Sequence, residues 1–170
     1  MTPSRTLISV EEYLKTSFEG PDREYIDGEV VERNLGEKGH SKLQKRLIGF
    51  FLALEAKGAA FAFPDQRVQV KRTRFRVPDV CVYLAEPNEE VFHSPPFLAI
   101  EILSPEDRAS AMQERVDDYL AFGVPFVWVI DPRRKSAVIH TPSGSRAASD
   151  GILRTVGPDI ELRLDTLFER

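Results

Sequence analysis

A chain of 170 residues, 42% hydrophobic and 29% charged, has the size and mix of one globular domain, 1–170, with a real core. Its formal charge of -4 and pI near 5.5 exclude a protein that coats nucleic acid by bulk electrostatics, since phosphate binding rests on Lys and Arg displacing counterions. Any nucleic-acid contact then needs a local basic face or metal ions.

The single cysteine, Cys81, excludes an internal disulfide and a Cys-based zinc cluster, and its apolar neighbours predict a packed core thiol in a reducing interior. The start, MTPSRTLISVEEYL, has no apolar run of signal-peptide length, and nothing later approaches a membrane span. A cytoplasmic chain with no membrane partner is expected.

Ser9 before Val10, Glu11 and Glu12 is a helix start with acids in its first turn, and Tyr13, Leu14 and Phe18 give the helix, from about 9 to 18, its apolar contacts. EYIDGEVVE then sets Asp27-Gly28 between two short β-prone runs, a strong hairpin signal, with Glu24 just before the turn. From Gly39 to about Lys57, Leu43, Leu47, Phe50, Phe51 and Leu54 recur at helical spacing. Lys42, Lys45 and Arg46 lie mostly off that stripe and form a basic flank.

FAFPDQRVQVKRTRFR, from Phe61 to Arg76, alternates apolar and basic residues and carries Arg67, Lys71, Arg72, Arg74 and Arg76. Such a run reads first as a solvated sheet face. VPDVCVYL (77–84) is a strand whose Pro78 marks an edge, a bulge or a first position, and FLAIEIL (97–103) is another. Ser104-Pro105-Glu106-Asp107 reads as a cap for a helix over about 106 to 122, with Met112, Val116, Tyr119 and Leu120 as its stripe and Gly123 as its stop. FVWVI (126–130) is a doubly buried strand.

Strand, helix, strand in that order predicts a right-handed crossover, with 97–103 and 126–131 parallel neighbours or near neighbours. SAVIHT adds a strand, and LDTLFER closes with a short helix or strand. The fold class is α/β or α+β, a mixed β-sheet flanked by helices.

Glu101 stands out because a carboxylate among six apolar residues must be paired, protonated, metal-bound or wet. If VYL and FLA pair as antiparallel neighbours with Leu84 opposite Pro96, the same register sets Asp79 opposite Glu101, with Cβ atoms roughly 5 Å apart. Two carboxylates so placed repel unless one is protonated or a cation lies between them, and Mg²⁺ or Mn²⁺ is the cation that oxygen donors prefer. A one-residue slip would put them on opposite faces, and Glu101 could equally pair with a buried arginine.

Pro78-Asp79, Glu101 in a strand ending Glu-Ile-Leu-Ser-Pro, a helix running into Tyr119, and Gly123-Val124-Pro125 before FVWVIDP resemble the PD-(D/E)XK nuclease superfamily. More narrowly, with the Glu24-Tyr25-Ile26-Asp27-Gly28-Glu29 hairpin and His40, they resemble the restriction-endonuclease-like Uma family, over nearly the whole chain. The resemblance implies a restriction-endonuclease-like fold and a Mg²⁺-dependent (or Mn²⁺-dependent) endonuclease acting on DNA. It further implies Asp79 and Glu101 as metal ligands, aided by the Ile102 carbonyl and Glu24.

The superfamily lysine two residues after the Glu is Leu103 here, and the position four residues before the tyrosine, where this branch carries it, is Arg115. Arginine stays protonated, so it donates hydrogen bonds and charge but takes no proton from water. An acid often found four residues earlier is Ala111 here. Lys42, Arg46, Arg67, Lys71, Arg74 and Arg76 are the candidates for holding a DNA backbone, and a homodimer would supply a second site.

Arg115 also supports a rival reading, a catalytically degenerate module that binds nucleic acid or protein without turnover. A two-carboxylate glycosidase has only the acid pair in its favour. His40 is as compatible with a capping or surface role as with a functional one, and His93 and His140 read as loop and strand residues.

Overall fold

The computed structural model describes residues 7–19, 22–34 and 36–169. Helix α1 (Val10–Lys15) begins where Ser9 Oγ accepts the Glu12 N–H at 3.1 Å. It is shorter than its sequence pattern, and Phe18 packs on Tyr13 from beyond the helix end. Strands β1 (Arg23–Ile26) and β2 (Glu29–Glu32) form the expected hairpin. Asp27 and Gly28 both adopt positive φ, 50° and 101°, which the twist of a two-residue hairpin turn requires.

Helix α2 (Lys38–Glu55) buries Leu43, Leu47 and Phe51. The basic stretch that follows is not one strand face but three short strands in two sheets, and this corrects the sequence reading. β3 (Phe61–Pro64) pairs with β6 (Val80–Tyr83), whereas β4 (Val68–Lys71) and β5 (Arg74–Arg76) pair with each other, and β5 joins β1. The break falls at Asp65, whose φ of 49° ends the alternation.

β6 pairs antiparallel with β7 (Leu98–Ile102) in the expected register, Val80 opposite Ile100 and Val82 opposite Leu98. Helix α3 (Ala109–Phe122) starts later than expected, and Ser104 is not its cap; Asp107 instead accepts the Ser104 N–H within the preceding turn at 2.6 Å. The helix ends at left-handed Gly123 (φ 108°), and β8 (Phe126–Asp131) returns parallel to β7. β9 (Ser136–Thr141), β10 (Gly144–Ala147), β11 (Ile152–Thr155), β12 (Ile160–Arg163) and α4 (Leu164–Phe168) complete the chain.

The mixed six-stranded sheet runs β10-β9-β8-β7-β6-β3, beside a four-stranded sheet β2-β1-β5-β4 and the β11-β12 pair. Alternation sorts its side chains onto two cores. Val80, Val82, Ile100 and Trp128 meet Leu47 and Phe51 of α2, while Cys81, Ala99, Val127 and Val129 meet Met112, Val116 and Tyr119 of α3. Full burial of each large apolar side chain contributes about 1.5–3 kcal/mol, so the two helices clamp the strands that carry Asp79 and Glu101. Cys81 is buried in this packing, which pushes its thiol pKa up. Among the described residues, no helix is long and apolar enough to cross a membrane.

Candidate active site

Asp79 and Glu101 lie at the same end of the β6–β7 pair, each 1% exposed. Asp79 Oδ2 accepts the Ile102 N–H at 2.6 Å, so neighbouring strands fix its carboxylate across the ladder. Its Oδ1 takes His40 Nε2 at 3.1 Å and Nη2 of Arg33. Glu101 Oε1 accepts the Tyr119 hydroxyl at 2.6 Å, while Oε2 takes Arg115 Nη1 at 3.2 Å and lies 3.9 Å from Arg33 Nη2. A single guanidinium, that of Arg33, thus stands between the two acids.

Burial raises the Glu101 pKa to about 7, with Asp79 and Glu24 adding to the rise and Arg115 and Arg33 opposing it. Asp79 moves the other way: although burial pushes it up, the His40 hydrogen bond and the Arg33 charge together hold it below the usual range. The Asp79 hydrogen bond raises His40, and the acids beside Arg33 and Arg115 raise both guanidinium groups despite burial. Burial and the Glu101 charge push Tyr119 well above 10.0, so it stays a donor to Glu101.

Glu24 on β1 does not face this pair freely. Its Oε2 takes Arg76 Nη1 at 2.9 Å and Arg115 Nη2 at 3.3 Å, and its Oε1 accepts the Val77 N–H at 3.1 Å. It therefore fixes Arg115 from behind. Arg115 itself sits as its helix phase predicts, with its head on Glu101, whereas Leu103 packs beside the α3 core and Ala111 is exposed.

These groups open onto a pocket of about 270 Å³ lined also by Asp22, Asn34, Gln44, Asp65, Ile102 and Asp107. Five carboxylates there face Arg33, Arg115 and His40, so the lining favours added positive charge. Among the described residues no group of three or more His, Cys, Asp or Glu side chains converges as a cation site. The donor chemistry that remains, two carboxylates and the main chain at Ile102, fits Mg²⁺ or Mn²⁺, which bind through one or two carboxylates and keep other positions for water or phosphate. The fit requires Arg33 to leave the space between the acids.

The basic candidates are mostly elsewhere. Arg76 is 3% exposed and ion-paired to Glu24 and Asp118, and Arg74 is held by Asp27, Glu114 and Asp118, so the charge of both is matched by acids of the fold. Arg46 is turned toward the C-terminal helix, where it donates to the Leu167 carbonyl at 2.7 Å. Lys71 lies 3.3 Å from Asp118, Lys42 is exposed on α2, and Arg67 lies over the Tyr13 ring. None of the six lines the pocket.

Sequence reasoning missed Arg33 and left His40 open. Arg33 sits in the connection after β2, where no periodicity marks it, and its partner Asp79 is 46 positions away. His93 bonds Gln69 at 2.7 Å, away from the pocket, and His140 is on β9.

No curated protein matches the chain. A crystal structure described as a "putative nuclease belonging to DUF820 from Anabaena variabilis" matches with a TM-score of 0.82 at 23% identity, over 95% of this chain and 97% of that one, which establishes the fold. The family model Uma2, described as "Putative restriction endonuclease", matches residues 10–162, and the chain belongs to that family.

Proposed function

We propose that the protein is a divalent-metal-dependent endonuclease that hydrolyses DNA phosphodiester bonds. The observation that carries this reading is the convergence of Asp79 and Glu101, both buried, at the floor of an acid-lined pocket. Bound by Asp79, Glu101 and the Ile102 carbonyl, Mg²⁺ or Mn²⁺ would supply Lewis-acid polarisation of the phosphoryl oxygen and a water of lowered pKa.

The chain's own residues prepare that binding. The Ile102 N–H and the Tyr119 hydroxyl each hold one carboxylate oxygen, and the other, Asp79 Oδ1 or Glu101 Oε2, meets the pocket-lining cations Arg33, His40 and Arg115. Arg115, braced by Glu24, would donate to the phosphoryl oxygens as negative charge grows on them. With no lysine at this position, proton removal from the attacking water falls to another base or to solvent. A second hollow of about 480 Å³ shares Asp22 and Asp65 with the pocket and carries Lys15, Arg23 and Arg67, which would hold the flanking backbone. A homodimer would set two such sites across a duplex.

Incubation with supercoiled plasmid and Mg²⁺ or Mn²⁺ tests the proposal. Nicking or linearisation is expected, with a loss of at least 100-fold in Asp79→Ala and in Glu101→Ala, as when a principal charge-stabilising group is removed. Cleavage that survives both substitutions rejects the assignment.

One observation favours a second reading. Asp79 and Glu101 are already neutralised by Arg33 and Arg115, as in a nuclease-fold module that binds without turnover. That reading expects no cleavage by the wild type or by Arg115→Lys.

A further inference from the structure

Arg33 is placed unlike the other cations of the site. Its Nη2 bridges Asp79 and, at 3.9 Å, Glu101, while its Nη1 reaches out at 3.1 Å to Asp65, whose own side chain is 40% exposed. It therefore stands between the acid pair and the pocket mouth. Arg115, on α3, is held from behind by Glu24, which lies outside the pocket lining, whereas Arg33 lies in the connection between β2 and α2 and its guanidinium pairs with acids that all line the pocket.

A guanidinium competes directly with a divalent ion for the same two carboxylates. It is also the side chain best shaped for bidentate contact with a phosphate. The two roles are compatible only if Arg33 changes partners.

We propose that Arg33 is the phosphate-recognising residue of this site, held on Asp79 and Glu101 until a backbone phosphate draws it off and opens the space between the two carboxylates to the cation. The inference rests on the metal-site reading above and adds to it the residue that couples substrate to metal. DNA and cation then reinforce each other, and by linkage each raises the other's affinity by the same factor. Free carboxylates are a poor alternative resting state, since like charges this close and this buried repel. Asp65 accounts for the outward pull: its carboxylate takes both Arg33 Nη1 and, at 3.0 Å, Gln44, and so keeps the guanidinium at the pocket mouth.

Mn²⁺ binding followed by electron paramagnetic resonance, with and without a 12-base-pair DNA duplex, tests the exchange in wild type, Arg33→Met and Arg33→Lys. Without DNA, Arg33→Met should bind Mn²⁺ at least tenfold more tightly than wild type, with Arg33→Lys in between. Adding duplex should raise the wild-type Mn²⁺ affinity and leave Arg33→Met unchanged.

Equal Mn²⁺ affinity in wild type and both variants, or an equal duplex effect in all three, overturns the role of Arg33 and leaves the metal site standing. Mn²⁺ binding in none of them beyond that of an Asp79→Asn control overturns both. Thermal melts establish that each variant is folded, and Arg33→Lys, which keeps a charge in place, carries the comparison should the methionine variant fail to fold.

Discussion

Glu101 and His40 both hold a proton more tightly in the folded chain than at their ordinary pKa values of 4.5 and 6.5, Glu101 because burial disfavours its charge and His40 because Asp79 accepts its hydrogen bond. A group whose folded pKa is raised contributes stability that is complete below its unfolded value and is lost as pH rises through the folded one. For Glu101 the loss runs from 4.5 to about 7, and for His40 it begins above 6.5. Asp79 has the opposite sign, so its contribution is lost as pH falls below 3.8, outside that window. The unfolding temperature is therefore expected to fall between pH 5 and pH 8, and to fall less in Glu101→Gln, which cannot ionise. Equal slopes for the two proteins in thermal melts across that range would contradict the assignment. Binding a divalent ion requires the same proton to leave Glu101, so metal affinity rises over the same interval.

The four-stranded sheet is tied to α3 through one buried ionic network. Arg76 on β5 joins Glu24 on β1 to Asp118 on α3, with Arg76 Nε 2.8 Å from Asp118 Oδ2. Arg76→Met would take from two buried carboxylates the cation they share, and breaking a buried pair from one side costs about 3–5 kcal/mol. Urea unfolding should show a loss of that size; a change below about 1 kcal/mol would mean that Lys71, Arg74 and Arg115 compensate. Periodicity shows where such elements lie when they are long or sharply bounded, as with α2, the Asp27-Gly28 hairpin, and the β6–β7 register that set Asp79 opposite Glu101. It fails across residues 61–76, because strands of three or four residues present no window long enough to separate one alternating run from three strands in two sheets. Arg74 and Arg76 were consequently readable as basic, and only the fold shows that acids from β1 and α3 consume that charge.

At the scale of the whole molecule, a chain of net charge -4 gathers carboxylates around one pocket and spends several of its arginines inside. The acid pair was readable because Glu101 interrupts an apolar strand and the simplest antiparallel register sets Asp79, just before the neighbouring strand, opposite it. The cation beside it was not, because Arg33 comes from an aperiodic connection brought to the pair only by the β1–β2 hairpin and α2. The central claim is that Asp79 and Glu101 form a divalent-cation site whose resting counter-ion is Arg33. The most direct test is a crystal of the protein grown with a short DNA duplex, soaked in Mn²⁺ and measured for anomalous scattering. The account predicts a peak between the two carboxylates with the Arg33 guanidinium displaced from them, whereas no peak and a guanidinium still bridging Asp79 and Glu101 would contradict it.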